Sequence, residues 1–119
     1  MINLLSFYGR VNRSQYWVRI LLLIVVMFVL GGLFSVVSVQ AGPYLTEDTQ
    51  LFLQFFCLLL LLVVPYAMIA NLVKRLHDYG TTGWWSLLVL VPLVDVIFLI
   101  GVGVVEGEAG SNAFGPAPA

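Results

Sequence analysis

The sequence predicts an all-α membrane protein, with three transmembrane helices preceded by a short interfacial amphipathic segment. Of its 119 residues, 61% are hydrophobic and only 9% are charged, whereas a soluble chain carries about 25% charged residues to cover its large surface. The mean hydropathy is +1.06. Three largely apolar stretches, about 20–40, 51–73 and 84–105, carry no charge apart from Asp95. Each supplies the ~20 residues that a helix rising ~1.5 Å per residue needs to cross ~30 Å of hydrocarbon. None alternates with period two, and a backbone in lipid must satisfy its own hydrogen bonds, so helices follow rather than barrel strands.

The elements follow in order within a single domain over residues 1–119. The first apolar run is too long for the ~7–15 residue core of a cleaved signal peptide, although Val39-Gln40-Ala41 resembles a cleavage site. Gly42, Pro43, Thr46, Glu47 and Asp48 read as a turn followed by a helix start at Thr46 or Asp48. Between the second and third runs lie Gly80 and Gly83, with Thr82 placed to cap the third helix. Residues 106–119, rich in Gly, Ala and Pro, read as a flexible tail.

Charge placement predicts orientation. Arg10, Arg13 and Arg19 precede the first run, and Lys74 and Arg75 follow the second. Lys and Arg concentrate on the cytoplasmic side of short loops, so the N-terminus is expected inside and the C-terminus outside, with Glu47, Asp48, Glu106 and Glu108 on the outer side. Tyr16, Trp17, Trp84 and Trp85 are expected to anchor the cytoplasmic interface, where amphipathic rings settle.

Two polar constellations meet on that side. In a helix Arg10 and Arg13 share nearly one face, which Tyr16 extends. Arg75, His77 and Asp78 return to the same leaflet. The cluster Arg10, Arg13, Arg75, His77 and Asp78 has two readings. It binds anionic lipid headgroups through the planar arginine fork, or Asp78 is the internal counterion that organises the arginines.

The ordered motifs Gly9-Arg10-x-x-Arg13-x-x-Tyr16-Trp17, Arg75-Leu76-His77-Asp78-x-Gly80-x-x-Gly83-Trp84-Trp85, Pro92 and Gly110-x-Asn112-x-Phe114-Gly115-Pro116-x-Pro118 resemble the DUF805 family of small bacterial inner-membrane proteins. The resemblance extends over nearly the whole chain. It implies a multi-span protein of the bacterial plasma membrane with no assigned biochemical role. Asp95 departs from it, standing where a small or apolar residue is expected.

Asp95 lies about 16 Å beyond Trp84 by helix rise, at a depth where an ionised carboxylate costs several kcal/mol. A hydrogen bond to Ser35 or Ser38, or to a neighbouring subunit, is one reading, and a proton or cation path is the other. Gly31, Gly32 and Ser35 have near small-xxx-small spacing. The lone Cys57 and lone His77 exclude an intrachain disulfide and multi-His metal sites. A net charge of -1 gives no field for nucleic acid.

The functional expectation is therefore a non-enzymatic subunit, assembly factor or regulator of a larger membrane complex, or a self-associating one, that touches anionic lipid and needs no cofactor or metal. A homo-oligomeric proton or cation channel or transporter using Asp95 is the alternative. A lipid-headgroup enzyme using His77 and Asp78 is the third reading.

Overall fold

A computed structural model describes residues 4–118, all helical apart from turns and connecting segments. Helix α1 spans Arg13–Ser35 and runs on through a widened turn, Val36–Gln40. Asn12 starts it: its side chain accepts from the Gln15 N–H at 2.8 Å while the Gln15 side chain accepts from the Asn12 N–H at 3.1 Å, which satisfies two of the donors every helix start leaves open. Helix α2 spans Glu47–Asp78, with the Thr46 hydroxyl accepting from the Thr49 N–H. It ends where Gly80 takes a φ of +74°. There the Gly80 N–H donates to the His77 carbonyl and the Thr81 N–H to that of Leu76, a left-handed stop that glycine adopts at little cost. Both α1 and α2 are long and apolar enough to cross a membrane.

The third apolar stretch is helical, but not one continuous span. Gly83–Leu90 is a 3₁₀ segment, a turn follows at Val91, Pro92 and Leu93, and α3 covers Val94–Val104 as a shorter apolar helix. Pro92 cannot continue the hydrogen-bond ladder, and Leu93 sits at φ 70°, outside helical geometry and strained for a residue with a Cβ. Both ends of the stretch lie at the same end of the molecule. Gly83 packs against Val73, and beyond the turn the Tyr16 hydroxyl donates to the Leu99 carbonyl at 2.9 Å and the Trp17 indole N–H to that of Gly103 at 3.0 Å. The expectation that residues 84–105 carry the tail to the opposite side is therefore corrected. The stretch folds back as a hairpin and delivers Glu106 and Glu108 to the end where α1 begins.

Two further expectations change. Among the described residues, the segment ahead of α1 is not helical, and Arg10 precedes the Asn12 cap, so Arg10 and Arg13 do not share a helix face. Thr82 occupies the cap position of the 3₁₀ segment, but its side chain makes no capping bond. Packing organises around two clusters, one of Val11, Tyr16, Leu72, Leu76 and Val102 and a second of Leu23, Val64 and Ala67. Tyr16 thus belongs to the core, whereas Trp84 and Trp85 stay exposed and Trp17 partly so.

The hairpin makes a labelling prediction. In a Cys57→Ser background, Ala109→Cys and Thr81→Cys are expected to react with an impermeant thiol reagent from the same side, and Asp48→Cys from the other. Ala109→Cys and Asp48→Cys reacting together would contradict the fold-back.

Candidate functional site: a buried Arg-Asp-Arg cluster and its tail clasp

The last turn of α2 places Arg75 and Asp78 one turn apart on its buried side, and the segment before α1 brings Arg10 onto them. Asp78 is 4% exposed and Arg75 0%. One carboxylate serves both arginines. Asp78 Oδ1 accepts from Arg10 Nε at 3.0 Å and Oδ2 from Arg75 Nη1 at 2.6 Å. In a low-dielectric setting such charge-assisted pairs are strong, but they offset the cost of burial only when the remaining donors are also satisfied.

Here they are satisfied by backbone. Arg10 Nη2 donates to the Glu108 carbonyl at 2.6 Å and its Nη1 to those of Gly110 and Gly115, which with further contacts to Asp78 engages all of its N–H groups. Arg75 donates to the carbonyls of Val11 at 3.0 Å, Val102 at 3.1 Å and Val105, and its guanidinium lies 4.8 Å from the Tyr79 ring centre. The Tyr79 hydroxyl donates to the Val102 and Val105 carbonyls. Burial pushes the Tyr79 phenol up from its ordinary value of 10.0, so it remains a donor at neutral pH.

The tail is the other half of the site. The Asn112 and Gly115 backbones bond each other at 3.0 and 3.1 Å, and Asn112 Oδ1 accepts from the Phe114 N–H at 2.9 Å. This tight turn turns the Gly110 and Gly115 carbonyls onto Arg10 and stacks Phe114 on the His77 ring, with centres 4.1 Å apart. Asn112 Nδ2 donates to the His77 carbonyl at 2.9 Å, and the Glu108 N–H to that of Asp78 at 2.7 Å. A Cβ at Gly107 would overlap the Asp78 carboxylate. The reading of residues 106–119 as a flexible tail is corrected for the described part, because Arg10 and His77 hold it.

The candidate residues thus divide. Arg10, Arg75 and Asp78 are one buried unit. His77 flanks it, its Nδ1 3.2 Å from the Gly9 carbonyl. Arg13 stands apart, exposed, with a 3.5 Å contact to Glu106. Asp95 has neither Ser35 nor Ser38 as partner: Ser38 donates to the Phe34 carbonyl and accepts from Gln54, while Asp95 Oδ1 accepts from the Val96 N–H at 2.7 Å at the start of α3, where a helix's positive end favours a carboxylate. Sequence reasoning missed Asn71, 1% exposed, whose Nδ2 donates to the Tyr16 carbonyl and ties α2 to α1. An amide in an apolar run, as Gln54 also is, was the only signal.

Two crossing-length helices, a shorter apolar hairpin helix and a polar cluster closed by backbone carbonyls define an all-helical membrane protein built around an internal ionic clasp. The chain belongs to the DUF805 family, described as protein of unknown function, whose model matches residues 4–116. It is 32% identical to the inner membrane protein YhaH of Escherichia coli K12 over 98% of this chain and 89% of that protein. It is 31% identical to the inner membrane protein YhaI over 98% and 88%, and 31% identical to the uncharacterized protein YiiR over 94% and 85%, both of the same strain. No solved structure matches.

Asp78→Asn leaves two buried guanidinium groups without a counterion, which costs about 3–5 kcal/mol, whereas Glu106→Gln removes an exposed pair worth about 0–1 kcal/mol. Thermal unfolding in mild detergent is expected to show a large drop in Tm for the first and almost none for the second. Gly107→Ala is expected to resemble Asp78→Asn. Equal Tm for wild type and Asp78→Asn would contradict the role of the cluster.

Proposed function

We propose that the chain is a non-enzymatic inner-membrane component, a subunit, assembly factor or regulator that docks to a larger membrane protein. One observation carries this reading: the carboxylate that a His77–Asp78 dyad would need is consumed by the fold. The Asp78 carboxylate is shared by two arginines, while His77 Nδ1 lies against the Gly9 carbonyl and its ring stacks on Phe114. The two are neighbours in sequence but engage separate partners, so Asp78 does not orient the imidazole. The inner-membrane assignment draws on the printed names of YhaH and YhaI.

Arg10, Arg13, Arg19, Lys74 and Arg75 all sit toward one end of the bundle, and by the positive-inside rule that end is cytoplasmic. The tail shares it, so both termini are assigned to the cytoplasm. Anionic-lipid contact then falls to Arg13, because Arg10 and Arg75 have spent their forks internally and only an outward-facing guanidinium reaches headgroups.

Affinity purification of the full chain in mild detergent, followed by quantitative mass spectrometry, tests the proposal. The expected result is one membrane protein recovered at fixed stoichiometry with wild type and lost with Asp78→Asn. A purified chain alone that turns over phospholipid headgroups, with the activity abolished by His77→Gln, would overturn it.

A further inference from the structure

Two buried polar atoms stand outside the clasp. Among the described residues, Arg19 Nη1 and Asn71 Oδ1 are the enclosed side-chain atoms without a hydrogen-bond partner, whereas nearly every buried polar group in a folded protein has one. Asn71 is almost fully buried, and its Nδ2 is engaged by the Tyr16 carbonyl, so the oxygen of its amide is left open. Arg19 is half-buried. The described salt bridges pair Arg10 and Arg75 with Asp78 and Arg13 with Glu106, which leaves Arg19 outside them.

Helix geometry brings these groups to one level. α1 and α2 run antiparallel, with Tyr16 opposite Asn71 and Leu23 opposite Val64 and Ala67. Side chains lean toward the N-terminus of their own helix. Arg19, one turn past Tyr16, therefore leans back to the level of Tyr16, and Lys74, one turn past Asn71, leans back to the level of Asn71. The Asn71–Tyr16 hydrogen bond makes these the same level, and Arg19 lies within Coulombic reach of buried Lys74. The result is a corner between α1 and α2, about one turn inward of Arg75, that gathers two cations and the open Asn71 oxygen.

The corner has two needs. An enclosed guanidinium N–H needs an acceptor, and the positive charge needs an anion. The Asn71 oxygen needs a donor. Water both donates and accepts but brings no charge. An ionised carboxylate of another protein brings charge but only accepts. Phosphatidylethanolamine accepts through its phosphate and donates through its ammonium, but its net charge is zero. A phosphate anion with a hydroxyl group meets both needs at once. The corner also lies just inside the polar cap, at the end assigned to the cytoplasm, the level where phospholipid headgroups meet basic side chains.

We propose that the Arg19–Asn71–Lys74 corner binds a phosphate anion carrying a hydroxyl donor, the headgroup of phosphatidylglycerol or hydrogen phosphate. The phosphate oxygens accept from Arg19 Nη1 and face Lys74, and the hydroxyl donates to Asn71 Oδ1. Half-buried Arg19, on its flexible stem, is the side from which the group enters. The site is distinct from the exposed contact at Arg13. It rests on the cytoplasmic placement of this end and not on docking to a larger protein.

The test is native mass spectrometry of the purified full chain in detergent with equal amounts of phosphatidylglycerol, phosphatidylmethanol and phosphatidylethanolamine. Phosphatidylmethanol has the charge of phosphatidylglycerol but lacks its hydroxyls. Wild type is expected to retain one phosphatidylglycerol about tenfold over either competitor. That preference is expected to vanish in Arg19→Gln and to persist in Arg13→Gln. Arg19→Lys, which keeps the charge and protects the fold but loses the planar fork, is expected to weaken it by about threefold. A lipid-free arm titrates inorganic phosphate against chloride at equal ionic strength and reads Tm. Retained phosphatidylglycerol assigns the site to lipid, whereas a Tm rise that needs Arg19, without retained lipid, assigns it to free phosphate. Phosphatidylglycerol held no better than phosphatidylmethanol, with no effect of phosphate on Tm, would overturn the proposal. So would a preference that Arg19→Gln leaves intact or Arg13→Gln abolishes, or a polypeptide held by Arg19 in place of any lipid. Because the purified chain is measured alone, a negative result leaves the docking role standing.

Discussion

A single carboxylate held between two buried guanidinium groups sets what the rest of this fold must do. Arg10 and Arg75 carry ten N–H donors between them, and Asp78 has two oxygens. With both guanidinium groups buried, the remaining donors require acceptors inside the protein, and the carbonyls that the helical ladder leaves open at helix ends and in turns are the most available. Here the donors are met by such carbonyls. The chain supplies the Val11 carbonyl ahead of the Asn12 cap, those of Val102 and Val105 at the close of α3, and those of Glu108, Gly110 and Gly115 in the tail.

That requirement explains the hairpin. For Val102 and Val105 to reach Arg75, the stretch that leaves α2 at Gly80 must come back to where it started within about 25 residues, and a helix crossing the whole bilayer cannot. The turn at Pro92 and Leu93 reverses it part-way. Asp95, just past the turn, accepts from the Val96 N–H in the first turn of the returning helix. The small residues follow the same logic: Gly103 lies against Trp17 and Tyr16, and Gly107 against Asp78, positions where a Cβ would collide. The clasp thus binds the ends of α1, α2 and α3 into one polar cap, while α1 leaves most of its surface to lipid.

Much of this was legible in the sequence. Composition and run length identified α1 and α2 as helices of crossing length, because lipid makes its demand on long contiguous segments. Thr46 occupies the helix-start position read for it. The convergence of Arg10, Arg75 and Asp78 followed from charge placement, and Asp78 as internal counterion was one of the two readings open there. The hairpin was not legible, because hydropathy measures how apolar a stretch is and not which way it runs. Residues 84–105 are as apolar folded back as extended. Arg10 and Arg13 were paired by helical spacing, but Gly9, at φ 96°, keeps Arg10 outside the helix. The tail lacks an apolar period, so nothing in its pattern showed that its backbone carbonyls, which every residue carries, are what Arg10 seeks.

The clasp fastens the tail to the helical core. Hydrogen–deuterium exchange of the full chain in detergent, read at the amides of Glu108, Asn112 and Gly115 in wild type and in Arg10→Gln, measures this directly. Protection of these three amides in wild type, with a large loss in Arg10→Gln while the interior of α2 stays protected, is the predicted result. Exchange of the wild-type tail at the rate of an unstructured peptide would contradict it.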